Sequence, residues 1–317
     1  MATDNPLDGK LVVLVGGSGF LGRHVAQDLL ARGARLRIAC RNPESAFTLK
    51  PLANLGQLQF ARCDVTKPES LKAVMAGADA ATYLVGAFKG DLDRLHGTSA
   101  GQAAEAAKAE GAQSFVLVSA IGADPGSDSH YASSKGAGEQ AVKRAFPKAT
   151  ILRPSVLFGE DDNFINLFAG LIATMPALPI FGPDAPMQPL WVDDAAACVA
   201  NALADPSSHG GKTYEIAGPE VLTMGEINRK IAAAQQRERR FIEVPDAISA
   251  IFAALPLTPM SSDQWAMLKS GNTASARLPG TRDLGVSPKP LDLFLDKWMT
   301  RYRKHGRFGT KVGAVRR

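Results

Sequence analysis

The sequence predicts an α/β protein built on a doubly wound parallel sheet, with a smaller α+β lobe in its C-terminal half. Three observations predict this class. Short apolar runs alternate with helix-like segments through the first half of the chain, a glycine-rich turn follows the first run, and the alternation ends after Ser155. Strands that are apolar along their whole length are typical of parallel sheets that helices cover on both faces.

The predicted strands and helices of the first half follow one another in a regular order. A helix is predicted at 19–33, and later helices are predicted in KPESLKAVMAG (67–77) and TSAGQAAEAAKAEGA (98–112). This order of strand, helix and strand predicts successive βαβ units. The first five predicted strands are KLVVLVG (10–16), RLRIAC (35–40), LQFARCD (58–64), DAATYLV (79–85) and QSFVLVSA (113–120).

Composition excludes several classes of protein. Of the 317 residues 45% are hydrophobic and 21% are charged, which is typical of globular domains with a buried core. The chain has an odd number of cysteines, Cys40, Cys63 and Cys198, which are widely spaced and form no CxxC pair. We therefore expect neither a disulfide framework nor a zinc site, and we expect the protein to reside in a reducing compartment. The opening MATDNPLDGK has two acids and no apolar run, unlike a signal or transit peptide. We therefore expect a cytoplasmic protein.

The two most apolar runs do not predict a membrane span. The run at 164–181 contains two prolines, and the run at 247–257 is shorter than the roughly 20 residues that a bilayer requires. The predicted apolar helix at 245–260 is open to three interpretations. It packs as core, covers an active-site cleft and contacts an apolar substrate, or lies in a membrane interface.

The positive charge of the chain is concentrated at its end. Residues 301–317 hold seven Lys or Arg and no acid, whereas the net charge of the whole chain is +5, so the remainder is slightly acidic. This basic tail is either a solvated terminus or an electrostatic contact with anionic lipid or an acidic partner. Peripheral binding to the inner face of a membrane therefore stays open. Nucleic acid is not an expected partner, because the body of the chain shows no basic stripe.

The turn GGSGFLG lies between the first predicted strand and the first predicted helix. Its spacing is Gly16-x-x-Gly19-x-x-Gly22. Such a turn brings backbone N–H groups and a helix N-terminus to a pyrophosphate, where a Cβ atom would block the approach. In this context the motif predicts a Rossmann-like dinucleotide site. The predicted contacts of this turn are Gly16, Ser18, Gly19, Phe20, Leu21, Gly22 and Arg23.

The end of the second predicted strand favours NADP(H) over NAD(H). An NAD site usually places Asp or Glu there, to bind the ribose 2′-hydroxyl. This chain has Cys40, Arg41 and Asn42 instead, so that a guanidinium is available for a 2′-phosphate. Arg23 is unfavourable beside a helix N-terminus, and a nearby phosphate would remove that penalty. The alternative is that Arg41 only begins a solvated loop.

The stretch SHYASSKGAGE places Tyr131 and Lys135 one helical turn apart. Tyrosine has a pKa near 10 and is a poor acid–base catalyst at neutral pH, and a lysine ammonium beside it lowers that pKa. Ser119 ends the fifth predicted strand 12 residues earlier, where its hydroxyl would orient a carbonyl or an alcohol. We predict Ser119, Tyr131 and Lys135 as the catalytic residues, with hydride passing directly between nicotinamide and substrate.

These motifs together resemble the short-chain dehydrogenase/reductase superfamily, in its extended and atypical branches. The second half narrows the resemblance to the family of the NADPH-binding accessory subunit of respiratory complex I and its bacterial relatives. It also resembles atypical reductase-like proteins linked to ubiquinone synthesis. The resemblance extends from about Lys10 to about Arg303, and it rests on CDVTKPESL, LVSA, YASSKGAGEQAVKRAFPKATILRPSVLFGEDDNFINLF, QPLWVDDAAACVANAL and GKTYEIAGPEVLTMGEI.

The resemblance implies further contacts with the cofactor. Asp64 and Val65 would lie beside the adenine, and Leu84, Val85 and Gly86 under the nicotinamide half. Lys135 would also bind the ribose, and Pro154 and Ser155 would border it. The implied domains are a dinucleotide-binding domain of 1–155 plus 187–218, a substrate or partner lobe of 156–186 plus 219–300, and the tail 301–317.

Two functions follow from these expectations. The first is an NADP-dependent oxidoreductase that acts on a hydrophobic carbonyl or alcohol, for instance a quinone-related one. The second is a non-catalytic, NADPH-holding accessory or assembly protein of respiratory complex I or of a ubiquinone-synthesis assembly. Retention of the Ser, Tyr and Lys set favours the enzyme. No metal site is predicted, because the acid pairs Asp161–Asp162 and Asp193–Asp194 are better explained as partners of helix N-termini.

Overall fold

The computed structural model describes residues 5–254, 261–304 and 306. The chain forms two compact units, each built from three segments. The first unit comprises Met1–Ser155, Val192–Ala217 and Ala274–Pro288, and the second comprises Val156–Trp191, Gly218–Thr273 and Lys289–Arg317. The division differs from the expected one in several places. Residues 187–191, residue 218 and the tail 301–317 belong to the second unit. Residues 274–288 belong to the first, where the N–H of Glu215 on β11 donates to the Pro279 carbonyl.

The strands range from two to six residues in length. The strands are β1 Leu11–Val15, β2 Arg35–Cys40, β3 Leu58–Arg62, β4 Ala80–Tyr83, β5 Ser114–Val118, β6 Thr150–Pro154, β7 Leu157–Phe158, β8 Ala177–Phe181, β9 Pro186–Met187, β10 Leu190–Trp191, β11 Thr213–Ile216, β12 Leu222–Thr223 and β13 Arg240–Val244.

The helices connect these strands. The α-helices are α1 Phe20–Ala31, α2 Pro68–Met75, α3 Ser99–Ala109, α4 His130–Ala145, α5 Ile165–Thr174, α6 Val192–Ala204, α7 Pro206–His209, α8 Met224–Ala234, α9 Asp246–Ala254, α10 Ser262–Ser270 and α11 Asp292–Met299. A π-helical segment, Asp93–Thr98, runs directly into α3, and short 3₁₀ segments span Pro43–Leu52, Thr281–Leu284 and Thr300–Tyr302.

The first unit contains a seven-stranded sheet in the order β11-β6-β5-β4-β1-β2-β3, with every pair of neighbouring strands parallel. In the register Leu14 pairs with Ile38 on one side and with Thr82 on the other. Helices cover both faces: α1 packs with α6, while α2, α3 and α4 pack together in series. The predicted doubly wound parallel sheet is confirmed. Its strands end at the same edge, where the candidate site lies.

Apolar side chains explain why these segments become buried strands. Alternate residues of β1 are buried toward opposite faces, and Val13 and Val15 share one core with Phe115 and Ile151. The neighbouring face of α3 is almost entirely alanine, which lets helix and sheet approach closely. Burial of this kind is the dominant favourable contribution to folding, at roughly 25 cal/mol per Å² of apolar surface.

The second unit holds helices around three small strand pairs. These pairs are β7 with β10 and β8 with β13, both parallel, and β9 with β12, which is antiparallel. Its core includes Phe158, Ile227 and Trp298. Trp191 stacks on Phe294 with ring centroids 3.8 Å apart.

The apolar segment expected at 245–260 is helical at its start. Within α9, Ile248 is 56% exposed, while Phe252 stacks on Phe181. Residues 255–260 and most of the basic tail lie outside the described residues. Across the part of the chain that is described, none of the helices combines the length and the apolar character of a membrane span.

Candidate functional site

The glycine-rich turn lies between β1 and α1, as the sequence predicts. Gly16 has a φ of +84°, a conformation that favours glycine, and its N–H donates to the carbonyl oxygen of Ala39. A Cβ atom on Gly22 would lie 2.7 Å from the backbone of Gly17, so only glycine lets the helix begin this close to the turn.

The N-terminus of α1 is well suited to an anion. Its N-cap residue, Gly19, has no side chain with which to cap the helix, and the first turn contains no acid. The first backbone N–H groups of α1 therefore lie at a positive helix end without a side-chain cap. Close backbone approach and uncapped donors are the features that a pyrophosphate requires, and these residues fit a dinucleotide.

The ends of β2 and β3 carry positive rather than negative side chains. Arg41 follows β2 and is exposed, and no acid follows it before residue 44. The strand register pairs Cys40 with Arg62, so that a second exposed arginine ends the neighbouring strand. Arg62 could not be identified from the sequence, since only the register brings it beside the end of β2.

Asp64 and Val65 follow β3 at the same edge of the sheet. One carboxylate oxygen of Asp64 accepts two hydrogen bonds from Thr66, from the backbone N–H at 3.0 Å and from the hydroxyl at 2.8 Å. These bonds lower the pKa of the Asp64 carboxyl. Asp64 is therefore a fixed anion at neutral pH, and Val65 beside it is buried.

Helix α4 carries Tyr131 and Lys135, and both side chains are buried. The helix begins at a Ser129 cap, whose hydroxyl accepts from the N–H of Ala132. The Nζ atom of Lys135 donates to the carbonyl oxygens of Val85, at 3.2 Å, and Val118, at 3.3 Å. The lysine thus joins α4 to the loop after β4 and to the end of β5.

Ser119 follows β5 directly and is only 3% exposed. Its hydroxyl oxygen has no hydrogen-bond partner among the described residues. Because Lys135 bonds to the adjacent Val118 carbonyl, the structure brings the lysine of the predicted set to the strand end that carries the serine. A buried hydroxyl without a partner costs free energy, unless a ligand oxygen satisfies it.

The rings of Phe88 and His96 cover Tyr131. Phe88 stacks on it with centroids 4.6 Å apart, and His96 meets it edge to face at 5.3 Å. Burial raises the pKa of Tyr131 to about 12, although the nearby Lys135 was expected to lower it. That expectation is wrong, because the loss of water around the phenol outweighs a lysine that already bonds to two carbonyls.

The remaining predicted residues line the same strand ends. The N–H of Leu84 donates to the Val15 carbonyl, and a Cβ atom on Gly16 would lie 3.2 Å from the side chain of Val85. A Cβ atom on Gly86 would lie 3.9 Å from the Nζ atom of Lys135. The loop after β4 therefore lies against both the glycine-rich turn and Lys135.

Pro154 ends β6, and Ser155 follows it. The Pro154 carbonyl accepts from the N–H of Ile121, and the N–H of Ser155 donates to the Ile216 carbonyl. Ser155 is buried. Pro154 thus lies next to the segment that follows Ser119, and Ser155 lies next to the end of β11.

An ion-pair network that the sequence pattern does not reveal holds α4 against the sheet. The guanidinium of Arg153 on β6 donates to both carboxylate oxygens of Glu139, at 2.8 and 2.7 Å. Glu215 on β11 lies 3.8 Å from the same guanidinium. Hydrogen bonding to Glu139 raises the pKa of Arg153, so the guanidinium stays charged. In the sequence, Glu139 lies four residues after Lys135, but its partner cannot be identified without the fold.

Comparison with known families agrees with this geometry. A family model described as NAD(P)H-binding matches residues 16–169. A second, described as the RmlD substrate binding domain, matches residues 122–275. Together they cover the glycine-rich turn, the Tyr131 helix and part of the second unit.

Among curated proteins, the chain is 30% identical over 330 residues to NADH dehydrogenase (ubiquinone) 1 alpha subcomplex subunit 9, mitochondrial, of Arabidopsis thaliana. The match covers 96% of this chain and 81% of that protein. The chain belongs to this subunit's family.

The family lies within the atypical short-chain dehydrogenases/reductases, as the sequence motifs predicted. A further member of this group is the ceramide reductase of Caulobacter vibrioides, which is 32% identical over 251 residues, with 78% of this chain and 76% of that protein covered. The family therefore includes both a subunit of a respiratory assembly and a protein named as a reductase.

Solved structures with the fold of this reductase family include two at low sequence identity. The triphenylmethane reductase of Citrobacter sp. has a TM-score of 0.71 and 19% identity, and covers 92% of this chain and 99% of its own. A nucleoside-diphosphate-sugar epimerase of Staphylococcus aureus has a TM-score of 0.70 and 16% identity, with coverage of 90% and 99%. At such identities the likeness shows the shared fold alone.

Proposed function

We propose that this protein is an NADP(H)-dependent reductase of a hydrophobic carbonyl compound. The observation that carries the proposal is the buried Ser119 hydroxyl without a partner, beside the strand end to which Lys135 is bonded. A substrate carbonyl oxygen would satisfy that hydroxyl, and Tyr131 would supply the proton. The nicotinamide, when bound, would supply the hydride.

The protonation states favour carbonyl reduction over alcohol oxidation. With a pKa of about 12, Tyr131 carries its proton at neutral pH and serves as a general acid. Lys135 has a pKa lowered to about 8 by burial, so that it is still mostly an ammonium at pH 7. Its charge would stabilise the phenolate that forms as the proton leaves.

Two arginines support the preference for NADP(H) over NAD(H). Arg41 and Arg62 end or follow neighbouring strands, both are exposed, and no carboxylate occupies the position that binds a ribose 2′-hydroxyl. Guanidinium groups suit a phosphate because they donate two parallel hydrogen bonds. We expect Arg41→Ala to weaken 2′,5′-ADP binding at least tenfold in calorimetry, and to leave ADP binding within about threefold. Equal losses for both nucleotides would remove this preference.

The expected substrate is apolar because of the surface next to the phenol. Phe88 is 59% exposed, and its ring lies on Tyr131, so that an apolar side chain borders the approach to the proton donor. A hydrophobic ketone or quinone would bury this surface on binding. The named activity of the ceramide reductase supports a lipid-like carbonyl, but only by family membership.

The test is NADPH oxidation with a panel of apolar ketones and quinones. We expect turnover by the wild type and a loss of at least 10²-fold in Tyr131→Phe, with the dissociation constant of NADPH changed less than threefold. Tyr302→Phe, in the second unit, is the matched control and should leave turnover unchanged. No turnover across the panel, with NADPH still bound, would reject the reductase.

A second function is supported by the family itself. The Arabidopsis relative is named as a subunit of NADH dehydrogenase, so an NADPH-holding accessory or assembly role in such a complex is the alternative proposal. Peripheral contact with a membrane, through the basic tail 301–317, belongs to the same proposal. If this role is correct, removal of residues 305–317 should abolish co-purification of the protein with membranes. If the protein is a reductase without this role, the truncated protein should retain full turnover.

A further inference from the structure

His96 is a buried histidine that the proposed reaction does not use. It lies in the π-helical segment before α3 and is only 2% exposed. Both nitrogens of its ring have partners. Its Nε2 atom lies 3.0 Å from the backbone nitrogen of Ala87, and its Nδ1 atom lies 2.9 Å from the hydroxyl oxygen of Ser134.

The partners determine where the proton of the ring resides. A backbone N–H can only donate, so Nε2 of His96 accepts from Ala87. The Ser134 hydroxyl donates to the carbonyl oxygen of Tyr131 at 2.9 Å, which leaves a lone pair of that hydroxyl to accept from Nδ1–H. The hydrogen bonds therefore run in one direction, from Ala87 through His96 and Ser134 to Tyr131, and they require a neutral ring.

The surroundings of His96 keep it neutral. Burial is the main cause that lowers the pKa of His96 to about 3, and electrostatic repulsion from Lys135 and His130 lowers it further. The ring therefore does not gain a proton in the physiological range, and Nε2 stays an acceptor.

His96 is also fixed against α4 by its backbone. A Cβ atom on Gly138 would lie 2.1 Å from the carbonyl oxygen of His96, so that the two backbones touch. The imidazole edge meets the ring of Tyr131 at 5.3 Å, with the planes 81° apart. Ala87 lies between Gly86 and Phe88, in the loop that follows β4. The His96 side chain therefore contacts the ring of Tyr131. It also accepts a hydrogen bond from the loop whose Phe88 ring stacks on Tyr131.

We propose that His96 is a positioning residue: its neutral ring fixes the loop of Ala87 and Phe88 against the start of α4, and so orients Tyr131. The inference rests on the proposed reductase function for its effect on turnover. The hydrogen-bond chain itself can be tested without any turnover, so that failure of the two proposals can be told apart.

The direct test is amide hydrogen exchange at Ala87, measured by NMR in three proteins. Leucine at position 96 fills a similar volume without hydrogen bonds, whereas glutamine retains an oxygen that can accept from Ala87. We expect amide exchange at Ala87 to be at least tenfold faster in His96→Leu, because the loss of a buried hydrogen bond lowers the protection of the amide by about that factor or more. His96→Gln should recover most of the protection. Unchanged protection in His96→Leu would overturn the proposal.

Turnover supplies the second readout. With an apolar ketone or quinone that the wild type reduces, kcat should fall at least tenfold in His96→Leu, and His96→Gln should recover most of it. The dissociation constant of NADPH should stay within threefold of the wild type in both. A parallel loss of NADPH binding and kcat would indicate general damage to the fold, and would overturn a positioning role. If the wild type reduces no compound, the reductase proposal fails and exchange at Ala87 decides the role of His96.

A third measurement needs no variant and covers the case in which His96→Leu does not fold. The ring ¹⁵N shifts of His96 in the ¹⁵N-histidine-labelled protein should show a neutral ring with its proton on Nδ1 from pH 5 to 8. An imidazolium, or a proton on Nε2, would contradict the hydrogen-bond chain.

Discussion

Phe88 lies flat on Tyr131, with ring centroids 4.6 Å apart and planes 16° from parallel. Phe88 is 59% exposed whereas Tyr131 is 9% exposed, so the phenylalanine supplies part of the cover of the phenol. The cover matters because a phenolate is disfavoured away from water, and this is the cause that raises the pKa of Tyr131.

The first prediction concerns this cover. In Phe88→Ala water should reach the phenol, and the pKa of Tyr131 should fall from about 12 toward its ordinary value. The phenolate absorbance is titrated in Phe88→Ala and in the same variant with Tyr131→Phe, and the difference between the two curves isolates Tyr131 from the other three tyrosines. The same difference is taken between the wild type and Tyr131→Phe. If the two difference curves coincide, groups other than Phe88 keep water from the phenol.

The second prediction concerns stability and Lys135. Burial lowers the pKa of Lys135 from 10.5 to about 8, so between these pH values the folded state binds fewer protons than the unfolded state. The free energy of unfolding contributed by Lys135 should therefore rise with pH from 8 to 10.5, by up to about 3 kcal/mol. Urea denaturation of the wild type and of Lys135→Met across this range measures the difference. If the free energy of unfolding varies with pH in the same way in both proteins, the lowered pKa of Lys135 is contradicted.

The third prediction compares two helical glycines. A Cβ atom on Gly138 would meet the His96 carbonyl at 2.1 Å, whereas a Cβ atom on Gly170 in α5 would meet no described atom within 4 Å outside its own helix backbone and chain neighbours. Gly138→Ala should destabilise the protein by about 2 kcal/mol or more, through backbone displacement. Gly170→Ala should stabilise it by about 0.5 kcal/mol, since alanine favours the helix. Chemical denaturation of both variants is the measurement, and equal effects would refute the close approach at Gly138.

The fourth prediction concerns the ion pair of Glu139 and Arg153. Glu139 is 3% exposed and its two oxygens accept from one guanidinium, so Glu139→Gln should cost about 2 kcal/mol or more of unfolding free energy. Asp246→Asn, which breaks an exposed pair with Lys269, is the control and should change stability by less than about 0.5 kcal/mol. A small effect at Glu139 would mean that the pair does not hold α4.

The first unit could be predicted from the sequence because its strands are long, apolar and regularly spaced. The predicted RLRIAC strand coincides with β2, and KLVVLVG extends one residue beyond β1 at each end. The second unit could not be predicted in this detail. Strands of two residues, such as β7 and β12, are too short to show any periodicity.

The residues of the candidate site likewise fall into those that the sequence could reveal and those that it could not. Tyr131 and Lys135 could be identified because four residues along a helix is a local spacing, and the glycine-rich turn is equally local. His96 and Phe88 could not, since a lone histidine and a lone loop phenylalanine carry no pattern. The roles of Arg62 and Arg153 depend on strand register and on a partner from another element.

The sheet of the first unit is completed late in the chain. Strand β6 ends at Pro154, but its outer neighbour β11 begins only at Thr213, and the backbone of Glu215 on that strand bonds to the carbonyl of Pro279. During synthesis, the nascent polypeptide must therefore emerge by some sixty further residues before β6 acquires its neighbour. A ribosome stalled between these points would expose β6 as an unpaired edge strand to chaperones. A gene fragment that stops at codon 155 would encode a product that aggregates through this edge, rather than a domain that folds on its own.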